Sequence, residues 1–272
     1  MSQKTLEILT VCMAASLYHV NWDVTHIDKN SLTLIYTSPD QEDGFPGSML
    51  TEVTYKLQQL EDLPVYSLKL IYKATMREAP CPINLTNHSY FNLAGHNKGR
   101  AAICNHKVQI CSTKSLELDK QTLLPTGRVQ QNTGEKDLST EKQLGKGIEN
   151  GGYDQFYIFD EKLDLKHELA HKIKGCQFSA LDTVSNRKMV GLTDQVGVQF
   201  YTAACLHPSQ PNGKHKQPYE SLGAFCFETQ AHPDGVNLGK DTEKLPNMVY
   251  YPNGEPYTHR TAFYFFDSSI KF

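Results

Sequence analysis

A dense group of polar side chains between residues 82 and 95 is the first feature of this sequence that could do chemistry. The segment reads PINLTNHSYFNLAG, and three asparagines, a threonine, a serine and His88 fall within eleven residues of it. Such groups are costly to bury unless they hydrogen-bond one another or a ligand. Composition alone favours a turn held by side-chain to backbone bonds, with His88 as an ordinary buried histidine. A ligand site is the competing interpretation.

Two carboxylates stand out further along the chain. Glu228 lies in the apolar run GAFCFETQ, where a two-residue period directs both phenylalanines to one face and Cys226 and Glu228 to the other. A carboxylate in so apolar a strand either finds a partner or has a raised pKa, and both outcomes suit a catalytic base. A structural ion pair explains Glu228 equally well. Asp154 follows two glycines in NGGYD, where a capping role in a loop is the simpler explanation.

Alternation of apolar and polar residues predicts the elements that must position these groups. Strands are predicted at residues 31–36, 50–57, 65–74, 106–111, 156–159, 187–192, 197–202, 224–229 and 261–266. A cluster of turn formers at 38–47 suits a hairpin connection, and one short helix is predicted within 135–148, closed by Gly145 and Gly147. Short strands separated by Gly, Pro and Asn turns indicate a single all-β domain, a sandwich or a barrel.

The composition excludes several classes of protein. Twenty-seven basic and thirty acidic residues leave a formal charge of −3, so no nucleic-acid partner is predicted. No apolar run is long enough to span a bilayer, so no membrane partner is predicted either. The eleven histidines include no HxH or HExxH pattern, and His167 and His171, four residues apart, are interpreted as a solvated pair. We therefore predict no metal site.

The cysteines and the N-terminal segment bear on location. Seven scattered cysteines without a CxxC pair are typical of reduced thiols. Residues 8–17 are weakly similar to the apolar part of a signal peptide, but the segment before them is not clearly basic. Asn84 and Asn87 both begin glycosylation acceptors, and a glycan there would occupy the polar segment. We therefore predict a cytoplasmic protein.

The order of several motifs resembles the galactose mutarotase (aldose 1-epimerase) family. NLTNHSYFNLAG is followed by LLPTG, GGYD, GVQFYT, FETQ and PNMVYYPNGEPY, and the likeness runs from about Trp22 to Phe266. The NHSYFNLAG element is the most specific of these. The resemblance implies a large antiparallel β-sandwich over residues 22–272, preceded by an unmatched segment, residues 1–21.

The resemblance also implies an activity: interconversion of the α and β anomers of galactose and glucose without a cofactor. Carried over by motif, His88 would be the general acid and Glu228 the general base, and the two are expected to face each other across a pocket wide enough for one pyranose ring. Asp154 and Gln199 would bind sugar hydroxyls, while Ser89 and Tyr90 would shape the pocket beside His88.

The sequence departs from the family at its start. The resemblance implies an Asn-Arg pair and a histidine followed by two glycines, and nothing before Trp22 matches them; His19 lies too close to Trp22 to take that histidine's role. An N-terminally truncated sandwich is expected to expose sheet edges and to self-associate. It is also expected to bind sugar less well, because each charged hydrogen bond is worth about 1.5–3 kcal/mol.

Three alternatives stay open at this stage. The first is a sandwich that has lost part of its site and is a non-catalytic or impaired sugar-binding protein. The second is a glycoside hydrolase that uses Asp154 and Glu228 as its two carboxylates. This alternative leaves the motif that contains His88 unexplained. An epimerase for phosphorylated sugars would need clustered arginines, and the five present are dispersed.

Overall fold

The alternating segments fold into two antiparallel sheets packed as a β-sandwich in the computed structural model, so the predicted fold class is confirmed. The structure describes residues 17, 19–60, 63–160, 163, 165, 176–206, 213–216, 218–238 and 248–270. Most of the predicted segment 1–21 and both His167 and His171 therefore lie outside the described residues. Within the described part of the chain, no helix is long and apolar enough to cross a bilayer.

The strands of the larger sheet alternate in burial where one face meets the core. In chain order they are β1 (Asp23–Ile27), β2 (Ser31–Ser38), β3 (Met49–Gln59), β4 (Tyr66–Met76), β6 (His106–Ile110), β9 (Lys142–Gln143), β11 (Phe178–Asp182), β12 (Arg187–Thr193) and β16 (Tyr257–Asp267). Their order across the sheet is β1-β2-β3-β4-β16-β12-β11-β6-β9. The loop between β2 and β3 spans the cluster of turn formers at 38–47, and the two strands pair as the predicted hairpin.

The second sheet carries most of the residues that the sequence singled out. Its strands are β7 (Lys114–Leu118), β8 (Pro125–Gln131), β10 (Asp154–Ile158), β13 (Gly197–Tyr201) and β14 (Cys226–Gln230), in the order β14-β13-β10-β7-β8. A separate two-stranded pair is formed by β5 (Cys81–Pro82) and β15 (Val249–Tyr250). Among the described residues the α-helices are short, α1 (Gly99–Ile103), α2 (Gly145–Glu149) and α3 (Gly235–Leu238).

Aromatic side chains fill the space between the sheets. Phe178 of β11 and Phe227 of β14 belong to different sheets, and their ring centroids lie 4.6 Å apart. Phe91 bridges the layers in the same way, with ring centroids 5.9 Å from Phe225 and 5.4 Å from Phe263. Alternate residues of a strand face opposite sides of the sheet. Since Phe227 of β14 faces the core, Cys226 and Glu228 on either side of it point away from the core.

Polar side chains join residues 83–92, which we call the 83–92 segment, to β14. Asn84 Nδ2 donates to the carbonyl oxygen of Ala231 at 3.2 Å, and Asn84 Oδ1 accepts from the Ala231 amide at 3.0 Å. Thr86 Oγ1 donates to the carbonyl oxygen of Thr229 at 2.8 Å. These bonds occupy polar groups that would otherwise be costly to bury, and they fix the residues on either side of His88.

The far end of the same segment is held just as firmly. Phe91 and Phe225 exchange two backbone hydrogen bonds, of 2.8 and 2.9 Å. Asn92 Nδ2 donates to the carbonyl oxygen of Gly223 at 3.0 Å. Composition favoured a turn held by side-chain to backbone bonds, and Asn84, Thr86 and Asn92 make bonds of this kind.

The prediction of a helix within residues 135–148 is wrong. Lys142–Gln143 forms β9, which pairs with Lys107 and Val108 of β6, so these residues bond to a sheet edge instead of a helical turn. The α-helical turn in this region, α2, begins at Gly145, whereas the sequence placed the end of a helix there. The two glycines therefore lie inside α2. A 3-10 turn, Gly134–Lys136, precedes β9.

Candidate active site

Three neighbouring strands present polar side chains on the face of the smaller sheet that points away from the core. Gln199 of β13 lies directly opposite Glu228 of β14, and Tyr201 lies opposite Cys226. Asp154 at the start of β10 is the register partner of Tyr201 on the other side. Since directly opposed residues of an antiparallel pair share a face, these five side chains form one wall.

The 83–92 segment carries His88 onto this wall. Its Nε2 lies 3.4 Å from Oε1 of Glu228, and the two side chains are 29% and 10% exposed. The pair is therefore neither split between the two sides of the sheet nor sealed in the interior. The two groups lie side by side, rather than on opposite walls of a pocket as the sequence interpretation supposed.

Aromatic rings border the histidine. Tyr90 stacks on His88 with ring centroids 4.8 Å apart, and Tyr201 meets the imidazole edge-on at 5.9 Å. The Tyr90 side chain remains half exposed, so one part of it restrains the imidazole and another part faces solvent. Ser89 is partly buried and lines a cavity beside His88.

Asp154 and Gln199 are joined to each other. Gln199 Nε2 donates to Oδ1 of Asp154 at 2.5 Å, which orients the carboxylate and leaves its second oxygen available. The glycine pair before Asp154 is required locally, because Gly152 has a φ of 92° and a side chain there would collide with Thr202. The NGGYD motif thus places the exposed carboxylate of Asp154 at the edge of the polar wall.

Burial opposes charge on both members of the central pair. Burial, and then the negative charge of Asp154, raises the pKa of Glu228 to about 8. Burial lowers the pKa of His88, while Asp154 acts on it in the opposite direction. The charge of Asp154 raises the pKa of His88, and this favours the protonated imidazole that a general acid requires. The two net shifts, upward for Glu228 and downward for His88, favour an uncharged imidazole beside a protonated carboxyl group.

A cavity of about 670 Å³ extends from this site along the larger sheet. Most of it is lined by apolar side chains such as Trp22, Leu34 and Met49, and its polar end reaches His88 and Ser89. Glu228, Asp154 and Gln199 do not line it, so the polar wall meets the cavity only at the histidine. A ligand that binds the polar wall and contacts His88 would therefore also reach the cavity.

Sequence reasoning missed two residues of the site. Tyr201 contacts the ring of His88, and Cys226 lies within 4.8 Å of both His88 and Glu228, measured between their ligand atoms. The signal for Tyr201 was available, because GVQFYT alternates and places Tyr201 on the face of Gln199. For Cys226 the shared face with Glu228 was recognised, but a chemical consequence was not drawn from it.

Comparison with known proteins then decides the family. The family model described as aldose 1-epimerase matches residues 15–264. The chain belongs to the aldose 1-epimerase family. It is 36% identical over 237 residues to galactose mutarotase of Rattus norvegicus and 36% identical over 239 residues to that of Homo sapiens. Each match covers 87% of this chain but 63% of the relative. This aldose 1-epimerase homologue thus spans less than two thirds of the length of those curated relatives.

Solved structures agree on the fold. An aldose epimerase homologue from C. elegans superimposes with a TM-score of 0.74 at 21% identity, over 92% of this chain and 70% of that one. Galactose 1-epimerase from Lactobacillus acidophilus gives a TM-score of 0.66 at 17% identity, over 90% and 66% of the two chains. At these identities the likeness establishes the sandwich of the family and nothing about substrate.

Proposed function

We propose that this protein is an aldose 1-epimerase that interconverts the α and β anomers of galactose or glucose. The observation that carries the proposal is the contact of His88 with Glu228, 3.4 Å apart, on a wall that also presents Asp154 and Gln199. Membership of the family supports the reaction class, and the resemblance in the NHSYFNLAG and FETQ motifs supports the assignment of these residues.

The side-by-side arrangement suits the opening of a cyclic hemiacetal. A base must remove the proton of the anomeric hydroxyl while an acid protonates the ring oxygen. Both oxygens are bonded to the same carbon, so the two catalytic groups must reach neighbouring atoms. Glu228 as base and His88 as acid meet this requirement from one side of the sugar. After rotation about the C1–C2 bond, the reverse steps close the ring as the other anomer.

The pair holds the proton that the reaction needs. A neutral imidazole beside a protonated carboxyl group and an imidazolium beside a carboxylate contain the same number of protons. They differ only in which group carries the proton, so the reactive form is reached by one transfer between His88 and Glu228. Sugar hydroxyls that hydrogen-bond to the ionised carboxylate would favour that form.

The remaining site residues serve binding in this proposal. Asp154 and Gln199 accept and donate hydrogen bonds to sugar hydroxyls, since carboxylate and amide groups pair with them directly. Ser89 and Tyr90 complete the pocket beside His88, and the face of an aromatic ring suits the apolar side of a pyranose. No step of the proposal draws on a cofactor.

Polarimetry of freshly dissolved α-galactose tests the proposed function. The purified protein is expected to accelerate the change in optical rotation above the buffer rate, with saturation in galactose. Saturable galactose binding without acceleration would instead identify a sugar-binding protein. Release of nitrophenol from a nitrophenyl galactoside would identify a glycoside hydrolase, and either result would overturn the proposal.

A role for the first strand in self-association is also part of this proposal. The edge strand β1 is exposed along its length, including the apolar side chains of Val24 and Ile27, and an exposed edge strand can pair with a second chain. Light scattering is expected to give a mass above that of one chain, and Ile27→Lys is expected to reduce it. A monomer at all concentrations would contradict this.

We further propose a cytoplasmic location and a part in hexose metabolism. The six cysteines within the described residues form no disulfide. Asn84 Nδ2 is already bonded to the backbone of Ala231, and Asn87 is buried, so a glycan on either would disturb the site. Cell fractionation is expected to recover the protein with cytosolic markers and without a mass shift after glycosidase treatment. Recovery in a secretory fraction would contradict it.

A further inference from the structure

Three side chains of different metal-ligand types meet on the polar wall. One ligand atom each from His88, Cys226 and Glu228 lies within 4.8 Å of the other two. Cys226 and Glu228 are two residues apart on β14 and share a face, while His88 arrives from the 83–92 segment. The ligands thus come from two segments well separated in sequence, which is why no metal motif was visible in the sequence.

The spacing approaches that of a tetrahedral zinc site. Bonds of about 2.0–2.3 Å from Zn²⁺ to nitrogen, oxygen and sulfur place tetrahedral ligands about 3.3–3.6 Å apart. His88 Nε2 and Glu228 Oε1 already lie 3.4 Å apart. The remaining separations, at most 4.8 Å, require inward movement of about 1 Å. Rotation of the His88 side chain can shorten the distances from its imidazole, and rotation of the Glu228 side chain can shorten its distance from Cys226.

We propose that His88, Cys226 and Glu228 form a binding site for a thiophilic divalent cation such as Zn²⁺, with the fourth position open to water. A thiolate and an imidazole select zinc over magnesium or calcium, which prefer oxygen ligands. Three protein ligands with one open position are typical of accessible zinc sites, and the 29% exposure of His88 leaves an entry path.

Occupation of this site by zinc has a direct consequence for the reaction. The cation takes the same nitrogen and oxygen atoms that the proposed epimerase uses as acid and base. Zinc and sugar therefore exclude each other, and zinc acts as a competitive inhibitor. This consequence rests on the proposed function, whereas binding of the metal does not.

Cys226 is the residue that distinguishes a metal site from an acid–base pair alone. Acid–base opening of a hemiacetal needs an imidazole and a carboxylate but no thiol. A small residue packed beside Tyr201 and Ala224 would fill the same space. Cys226→Ala therefore removes a ligand and leaves the proposed catalytic groups in place. Cys81→Ala is the matched control, since Cys81 is also a buried strand cysteine but lies outside the wall.

Titration with Co²⁺ tests the site without measuring activity. Cobalt replaces zinc in tetrahedral sites and gives a thiolate-to-metal absorption band when cysteine is a ligand. The wild-type protein and Cys81→Ala are expected to show the band and to lose it when Zn²⁺ is added. Cys226→Ala is expected to lack the band and to bind cobalt at least tenfold more weakly. An unchanged band in Cys226→Ala would overturn the proposal.

A second variant covers the case in which Cys226→Ala does not fold. His88→Ala changes a partly exposed side chain and is expected to weaken cobalt binding at least tenfold while retaining a native circular dichroism spectrum. Unchanged cobalt affinity in His88→Ala would also overturn the site, because the metal would then be bound elsewhere.

Inhibition separates this proposal from the proposed function. Zn²⁺ is expected to raise the apparent KM for galactose in the wild-type protein, and to raise it at least tenfold less in Cys226→Ala when each protein is compared with itself in the absence of zinc. Cysteine-dependent cobalt binding in a protein without epimerase activity would refute the proposed function and support the metal site. Epimerase activity without cysteine-dependent binding would refute the metal site alone.

Discussion

Two histidines lie on opposite faces of β14, and their surroundings differ sharply. His259 is fully buried; its Nε2 lies 3.0 Å from Thr229 Oγ1 and 2.9 Å from Thr261 Oγ1, and its Nδ1 lies 3.1 Å from the carbonyl oxygen of Leu85. His88 is partly exposed, contacts Glu228 through Nε2, and its Nδ1 has no hydrogen-bond partner among the residues that the structure describes. One ring has both nitrogens bonded within the fold. The other has a nitrogen in contact with a carboxylate of raised pKa.

β14 thus contributes to stability through one face and to the candidate site through the other. The neighbours Glu228 and Thr229 point to opposite faces of β14, and each contacts one of the two histidines. A polar group whose hydrogen bonds are all made inside the protein contributes to stability and to a unique arrangement. A group that keeps bonding capacity at the surface of a wall is available to a ligand. Changes on the two faces should therefore separate activity from stability.

The largest expected effect is on activity, from His88→Ala. Loss of the proposed acid should lower the rate of galactose anomerisation by about 100- to 10,000-fold, the usual contribution of a general acid. The free energy of unfolding should change little, since the side chain is partly exposed. Polarimetry and thermal unfolding measure the two quantities. A normal rate in the folded variant would contradict the assignment.

Glu228→Gln should stabilise the protein in a pH-dependent manner. A carboxyl group whose pKa is raised from 4.5 to about 8 on folding is favourable below pH 4.5 and loses that contribution as pH rises through 8. Glutamine cannot ionise, so the variant should gain about 3 kcal/mol over wild type at pH 7 and nothing at pH 4. Urea unfolding across this range measures the difference. Glu149→Gln, an exposed carboxylate, should give no such trend.

His259→Ala should destabilise the protein by about 2–4 kcal/mol. It leaves a cavity and removes the partner of two buried threonine hydroxyls. His26→Ala, at an exposed position, serves as the control and should cost little. Unfolding curves at one pH measure both. Equal stabilities would show that the two faces of β14 are not specialised as described.

The smallest effect is expected from Asp154→Asn. Loss of one charged hydrogen bond to a sugar hydroxyl should raise the KM for galactose about tenfold, equivalent to about 1.4 kcal/mol. Asp160→Asn changes an exposed carboxylate just beyond β10 that pairs with Lys114 and should leave KM unaltered. Indistinguishable KM values for the two variants would remove Asp154 from the binding residues.

Alternation of apolar and polar residues was sufficient to predict most of the strands that have one buried and one exposed face. β2, β3 and β16 contain their predicted segments, and β4 begins one residue after the start of its own. β11 was missed because its sequence, FSALD, does not keep a two-residue period of apolar and polar residues. The helix at 135–148 failed for another reason: pairing of Lys142–Gln143 with the sheet edge overrode local preference.

The site was predictable in its residue types but not in its arrangement. The motifs indicated His88 and Glu228, and their contact depends on bonds such as that between Asn84 and Ala231, which are 147 residues apart. No local pattern encodes such a separation. The side-by-side geometry of the pair, the stacking of Tyr90 and the approach of Cys226 therefore required the folded chain.

The central claim is that Glu228 acts as the base beside His88, and one comparison tests it most directly. Wild-type protein and Glu228→Gln are assayed side by side for the rate of α-galactose anomerisation and for galactose binding. The account predicts acceleration by the wild type, loss of turnover in the variant, and binding that is still detectable in both. Equal rates of anomerisation in the two proteins would contradict it.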